Sequence, residues 1–248
     1  MIHIRNKREI ALLREAGRQT ARCMEYISGL IAPGITTGEL DRLAEQFIRK
    51  NGGIPTFKGY SGYPGSICAS VNEEVVHGIP GSRKLMDGDI LSVDMGVTLN
   101  GWVGDMARTF PVGTVAPNKL KLIEVTKASF EAGFEKMRAG NRLGDVSNAV
   151  QTVAESHGYG VVRDLCGHGV GQEMHEDPEV LNFGRAGHGV RLQAGMVLAL
   201  EPMINDGTWR VLELDDGWTI ISADHSPSAH YENTIAITED GPMILTAL

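Results

Sequence analysis

Apolar residues recur at helical spacing in four stretches of the chain, and the four fall into two pairs. Asn6 and Glu9 form a capping pair, after which Ile10, Leu13, Met24, Ile27 and Leu30 follow one stripe up to the break at Pro33-Gly34. Thr36 and Glu39 repeat the capping signature. Leu40, Leu43, Ala44, Phe47 and Ile48 then make an apolar face that Asn51-Gly52-Gly53 ends. The same succession returns in the second half. There "KLKLIEVTKASFEAGFEKMRAG" predicts a long helix stopping at Gly140, and "DVSNAVQTVAESHGYG" places Val146, Ala149, Val150, Val153 and Ala154 on a face ended by Gly158.

Sliding the chain along itself lays Gly34 on Gly140, Gly38 on Gly144, Leu40 on Val146, Phe47 on Val153 and Gly52 on Gly158. Coincidences in a single register point to internal duplication. The strand-like segments behind the helices agree, since "LMDGDILSVD" against "LQAGMVLALE" matches Leu85 to Leu192, Gly88 to Gly195, Leu91 to Leu198 and Asp94 to Glu201. Two acidic residues thus end equivalent strands. Two such helix-helix-strand units imply an α+β fold, with halves related by a pseudo-two-fold axis and helices covering antiparallel sheet. One domain spanning residues 1–248 is expected.

Composition narrows the function classes. With 248 residues, 42% of them hydrophobic, the chain can bury a full core. No apolar run approaches membrane-spanning length, and charges interrupt the first residues where an export signal needs an apolar core, so a soluble cytoplasmic protein is expected. Cys23, Cys68 and Cys166 are too few and too scattered for a disulfide framework. A net charge of −8 argues against charge-driven binding of nucleic acid or lipid.

Against that background some carboxylates stand out. The strands read from "DILSVDMGVTLNGWVGDMARTF", "MVLALEPMI" and "SAHYENTIAIT" are apolar enough to be buried, yet they carry Asp94, Asp105, Glu201 and Glu232. Buried without compensation, such a group costs several kcal/mol. Ion pairs with Arg108 or Arg191, or exposure at a strand end, would account for any one of them. For the set, a cation site is the stronger reading. His168, in "CGHGVGQEMHEDP", adds a nitrogen donor, and four carboxylates with one imidazole are ligands enough for two divalent cations sharing bridging carboxylates. "GHGVGQ" lacks the spacing and lysine of a phosphate loop, and "HEDPE" is not the helical HExxH of mononuclear zinc proteases.

In chain order, Asp94, Asp105, His168 in "GHGVGQEMHEDP", Glu201 in "ALEPM" and Glu232 in "YENTI" resemble the five metal ligands of the methionine aminopeptidases and their pita-bread relatives. "YSGYPGSICAS" and "SVNEEVVHGIP" are similar to segments of the type I enzymes. The resemblance spans the chain and implies a pita-bread fold, the two αα/β halves holding the metals between them. The lack of a large preceding domain sets the chain apart from prolidases and aminopeptidases P. The uninterrupted stretch between His175 and Glu201 sets it apart from type II. The start close to the first helix resembles the short bacterial form.

The resemblance also implies roles. Asp94 would hold one ion, His168 and Glu201 the other, and Asp105 and Glu232 both; Mn(II), Fe(II), Co(II) and Zn(II) all suit such donors. Glu201 would shuttle the proton, and His77 and His175 would position the scissile amide. Phe57, Tyr60, Tyr63, Cys68, Met174 and Trp218 would line the methionine pocket. Family members with Cys at the place of Phe57 and Phe at that of Met174 distribute the bulk of this pocket differently. The implied substrates are N-terminal segments of nascent proteins with a small second residue, and a broader or Xaa-Pro aminopeptidase is the alternative. Transient association with the ribosome would follow, although residues 208–230 set Arg210 against Glu213, Asp215, Asp216 and Asp224, a segment that RNA would repel. No membrane or sequence-specific nucleic-acid partner is expected, and the chain is expected to be a monomer. His3, His157, His188, His225 and His230 are expected to be ordinary surface or packing residues.

Overall fold

The computed structural model describes residues 1–248. Helices α1 (Lys7–Ser28) and α2 (Thr37–Lys50) precede strands β1 (Ile54–Pro55), β2 (Cys68–Val71), β3 (Glu74–Val76), β4 (Ile90–Leu99) and β5 (Trp102–Pro111). Helices α3 (Pro117–Lys136) and α4 (Leu143–Ser156) follow. Then come β6 (Gly160–Val161), β7 (Gly167–Gly169), β8 (Glu176–Val180), β9 (Val197–Leu200), β10 (Met203–Asn205) and β11 (Val211–Glu213). The chain ends with β12 (Ile220–Ser222), β13 (Ser228–His230), β14 (Asn233–Thr238) and β15 (Gly241–Ile244). Every strand pairing is antiparallel.

The helices begin where the caps require. Asn6 and Glu9 satisfy each other's backbone donors at the start of α1, and the Thr36 hydroxyl accepts from the Glu39 N–H at the start of α2. The amphipathic faces are buried as the pattern demands, Leu40, Ala44 and Ile48 on α2 and Val146, Val150 and Ala154 on α4. Two boundaries differ from the sequence reading: α1 stops at Ser28 and α3 at Lys136, short of Pro33 and Gly140. The reason is shared. Gly34 (φ 97°) and Gly140 (φ 98°) lie in the linkers, where their N–H groups bond to the Leu85 and Leu192 carbonyls at 2.7 and 3.0 Å.

That correspondence holds position by position. Gly38 and Gly144 bond to the carbonyls of Gly81 and His188 at 2.8 and 3.0 Å, and Gly52 and Gly158 end α2 and α4 at φ 79° and 82°. The helices cover the sheets, and α1 also contributes Leu13 and Ala16 to a cluster shared with Val197, Ala199 and Ala236 of the second half. In the first half, β2 and β1 flank β4, which also pairs with β5; in the second the order is β15-β14-β9-β7-β8. One apolar cluster centres on α1, α2 and the first sheet, another on α3, α4 and the second. The seam between halves is hydrogen-bonded. Glu232 N donates to the Ala107 carbonyl at 2.9 Å, and the Thr234 hydroxyl both accepts from Asp105 N and donates to Asp105 O at 2.9 Å.

Candidate metal centre

Strands β4 and β5 form a hairpin closed by Asn100-Gly101, both at positive φ, 53° and 78°, as a tight two-residue connection requires. Its register sets Asp94 opposite Ala107 and Gly96 opposite Asp105. Cross-strand partners share a face, so Asp94 and Asp105 project from the same side. Cys68, paired with Asp94 from β2, joins them. Gly96 leaves room on that face, since a Cβ there would lie 2.8 Å from the Phe57 ring.

The second half supplies the rest. His168 sits in β7 between Gly167 and Gly169, where added Cβ atoms would meet the carbonyl oxygens of Ala199 at 2.3 Å and Asp177 at 2.2 Å. Glycine is therefore what lets His168 lie between β9 and β8. Its Nδ1 donates to the Gly169 carbonyl at 2.9 Å, which leaves Nε2 facing the carboxylates, 3.5 Å from Asp105 Oδ2 and 3.4 Å from Glu201 Oε1. Glu201 follows β9 directly, and Glu232 precedes β14 beside Asp105 across the seam. Asp105, His168 and Glu232 offer donor atoms all within 4.8 Å of one another.

Neither arginine of the ion-pair alternative neutralises this cluster. Arg108 bonds to the backbone carbonyl of Glu232, not to its carboxylate, and Arg191 bridges Arg142 away from the site. Oδ1 of Asp94, Oδ1 of Asp105 and Oε1 of Glu232 are buried without any hydrogen-bond donor. Burial and mutual repulsion push the Asp94 and Glu232 carboxyls well above the usual range, and burial takes Glu201 up to about 8. Burial opposes charge on His168, but the hydrogen bond to Asp105 and the charge of Glu201 outweigh it and raise its pKa to about 9. Buried, orphaned oxygens around one imidazole are a donor set that divalent cations fit.

Above the cluster lies a cavity of about 210 Å³. Every residue singled out from the sequence reaches its wall: Asp94, Asp105, His168, Glu201 and Glu232 at the cluster, His77 and His175 beside it, and Phe57, Tyr60, Tyr63, Cys68, Met174 and Trp218 around it. The His175 ring lies 4.3 Å from that of His168, its Nδ1 is 2.7 Å from the Tyr60 hydroxyl, and burial lowers its pKa to about 4. His77 holds φ 60°, an uncommon conformation for a side chain other than glycine, with its ring 6.4 Å from that of Trp218. Burial lowers its pKa too.

Some neighbours escaped the sequence reading. Val76, Leu165, Cys166 and Met203 also line the cavity, and each lies within three residues of one that was singled out. His230, set aside as ordinary, is fully buried with neither ring nitrogen hydrogen-bonded, and its Nε2 is 3.9 Å from Glu201 Oε2. Alternation was the available signal, because His230 stands two residues before Glu232 in extended chain.

Known proteins carry this arrangement further. The sequence profile of Metallopeptidase family M24 matches residues 11–239. The chain belongs to that family. Among M24 relatives, the methionine aminopeptidase of Clostridium perfringens is 54% identical, with all of both chains aligned, and methionine aminopeptidase 1 of Bacillus subtilis is 52% identical over 99% of each. The crystal structure of methionine aminopeptidase from Rickettsia prowazekii superposes with a TM-score of 0.98 at 42% identity, covering all of both chains. The M24 pita-bread fold is thus the fold of this chain, as expected from the sequence.

Proposed function

We propose that this chain is a metal-dependent hydrolase that removes the N-terminal methionine from peptides and nascent proteins, preferentially where the second residue is small. The observation that carries the reading is the cluster of orphaned buried carboxylates at the base of an apolar, sulfur- and aromatic-lined cavity. Full-length identity to methionine aminopeptidases favours it over a broader or Xaa-Pro aminopeptidase. The whole chain, residues 1–248, acts as one catalytic domain, in the cytoplasm and as a monomer. No helix is long and apolar enough to cross a membrane.

Asp94, Asp105, His168, Glu201 and Glu232 would hold two divalent cations, Mn(II), Fe(II), Co(II) or Zn(II). When bound, these would lower the pKa of a water toward about 7 and offset negative charge on the scissile carbonyl. Glu201 takes a proton on the cluster side and delivers it to the leaving amine. His175 is neutral near pH 7. With the Tyr60 hydroxyl donating to Nδ1, its Nε2 carries the proton and donates to the substrate carbonyl. His77 positions the peptide from the opposite wall. Phe57, Tyr63, Cys68, Met174 and Trp218 enclose an unbranched thioether, which gains from sulfur–aromatic contact. Substrate reaches the site at the ribosome transiently, without tight RNA docking through the acidic segment 208–230.

The test is mass-resolved cleavage of Met-Ala-Ser mixed with Leu-Ala-Ser, Met-Leu-Ser and Ala-Pro-Ser, using protein stripped of metal and resupplied with each ion separately. Loss of methionine from Met-Ala-Ser alone, and only with metal, is expected. Preferred attack on Ala-Pro-Ser would favour the alternative, and failure to bind metal would overturn the enzymatic reading.

A further inference from the structure

The hydrogen bonds across the seam continue one step beyond the metal cluster. Asp105 bonds to Thr234, Ala107 to Glu232, and Thr109 to His230. The Thr109 hydroxyl accepts from His230 N at 2.8 Å and donates to His230 O at 2.9 Å, with Ser92 Oγ 2.8 Å away on its other side. On the opposite edge His230 pairs with Met203 of β10. Its backbone is thus fixed by both halves of the molecule.

The side chain so placed is 1% exposed, and neither ring nitrogen has a hydrogen-bond partner. A buried polar group left unmet costs free energy that an apolar side chain of similar volume does not, so packing alone gives no reason for histidine here. The nearest carboxylate is that of Glu201. His230 Nε2 lies 3.9 Å from its Oε2, while His168 Nε2 lies 3.4 Å from its Oε1, so an imidazole stands at each oxygen. Burial favours the neutral His230 ring, which carries a single N–H. Asn182 Nδ2 holds the Glu201 carbonyl at 3.0 Å, and the terminal torsion of a glutamate is the broad, soft one. His230 is not part of the wall of the catalytic cavity, so it stands behind Glu201 and away from any peptide.

We infer that His230 is the positioning residue of Glu201: its Nε2–H donates to Oε2 and holds the carboxylate plane so that Oε1 stays beside His168. Rotation of the carboxylate brings the pair from 3.9 Å to hydrogen-bond length. The rigid clamp at Thr109 and Met203 then passes to the one acid that is asked both to hold a cation and to move a proton. Groups of this kind, placed behind a ligand, change metal affinity or activity about 10–100-fold. The inference rests on the reading of the cluster as a metal centre and not on which peptide is cut.

The test is calorimetric titration of Mn(II) into metal-stripped protein and into His230→Leu, His230→Gln and His230→Asn. The glutamine amide reaches about as far as Nε2, the asparagine amide only about as far as Nδ1. Leucine and asparagine should weaken Mn(II) binding about tenfold or more, and glutamine should restore most of the loss. At saturating Mn(II), His230→Leu should lower kcat on Met-Ala-Ser and leave KM unchanged. Should His230→Leu fail to fold, the contrast between glutamine and asparagine still decides. Mn(II) affinity unchanged in leucine and asparagine, glutamine no better than asparagine, or a defect confined to KM would overturn the assignment. If Mn(II) binding depends on His230 yet no methionyl peptide is cleaved, the proposed function falls and the role of His230 stands; if methionyl cleavage and metal binding both survive every substitution, the reverse holds. No Mn(II) binding by the unsubstituted protein would overturn both.

Discussion

The two halves share their frame and differ in how they deliver ligands. Gly88 and Gly195 turn into β4 and β9 at φ 92° and 96°, matching the agreement at Gly34 and Gly140, and Asp94 and Glu201 follow at equivalent places. In the first half one short hairpin carries both acids. In the second, β9 and β14 pair directly, but the chain between them makes the long excursion through β10 to β13 that brings Trp218 and His230 to the site. A duplicated scaffold thus preserves backbone geometry while one copy is free to grow. The candidate centre forms only where the copies meet, at the hydrogen bonds joining Asp105 to Thr234 and Ala107 to Glu232.

The largest effect should come from breaking that meeting point. Asp105→Ala or Glu232→Ala should lower metal-dependent kcat/KM about a thousandfold or more, given the several kcal/mol supplied by cation chemistry. Normal turnover at matched metal loading would refute their bridging role.

Metal removal should expose the seam as a pH-dependent weakness. Glu201, raised from 4.5 to about 8, and His168, raised from 6.5 to about 9, both keep protons in the native state that the unfolded chain has lost. Native protein therefore binds more protons than unfolded protein from about pH 6.5 to 9, and its stability falls across that window. His175 and His230, lowered to about 4 and about 3, act in the opposite sense below 6.5. The melting temperature of metal-stripped protein should drop by several degrees between pH 6.5 and 9, and a divalent ion should reverse the drop. A flat profile would count against this electrostatic account.

Equivalent glycines sharpen the contrast between halves. A Cβ at Gly144 would sit 2.3 Å from the Arg185 carbonyl oxygen, whereas at Gly38 the nearest carbonyl, that of Gly81, is at 2.9 Å. Alanine should cost about 2–3 kcal/mol at Gly144 and less at Gly38, measured by denaturant unfolding. At Gly34 and Gly140 nothing obstructs a Cβ and only the positive φ matters. Each Gly→Ala change there should cost about 1–2 kcal/mol, and equally. A marked inequality would show that the linkers are not equivalent.

Most of the frame was legible because caps, apolar stripes and glycine breaks are local signals, and their repetition made the duplication visible. Helix ends were less so: the linkers before Gly34 and Gly140 continue an apolar pattern after the helical hydrogen bonds have stopped. Residue chemistry marked the acids and His168 as anomalous, and family resemblance ordered them. Their convergence was not legible in spacing, because it depends on contacts such as Thr234 to Asp105, between residues far apart in sequence. His230 was missed for a related reason. Its isolation from hydrogen-bond partners exists only in the packed interior.

The most direct test of a centre shared between the halves is anomalous diffraction from crystals loaded with Mn(II). Two neighbouring peaks are predicted in the cluster, ligated by Asp94 and Asp105 from one half and by His168, Glu201 and Glu232 from the other. Peaks confined to one half, or none in the cluster at saturating metal, would contradict the account.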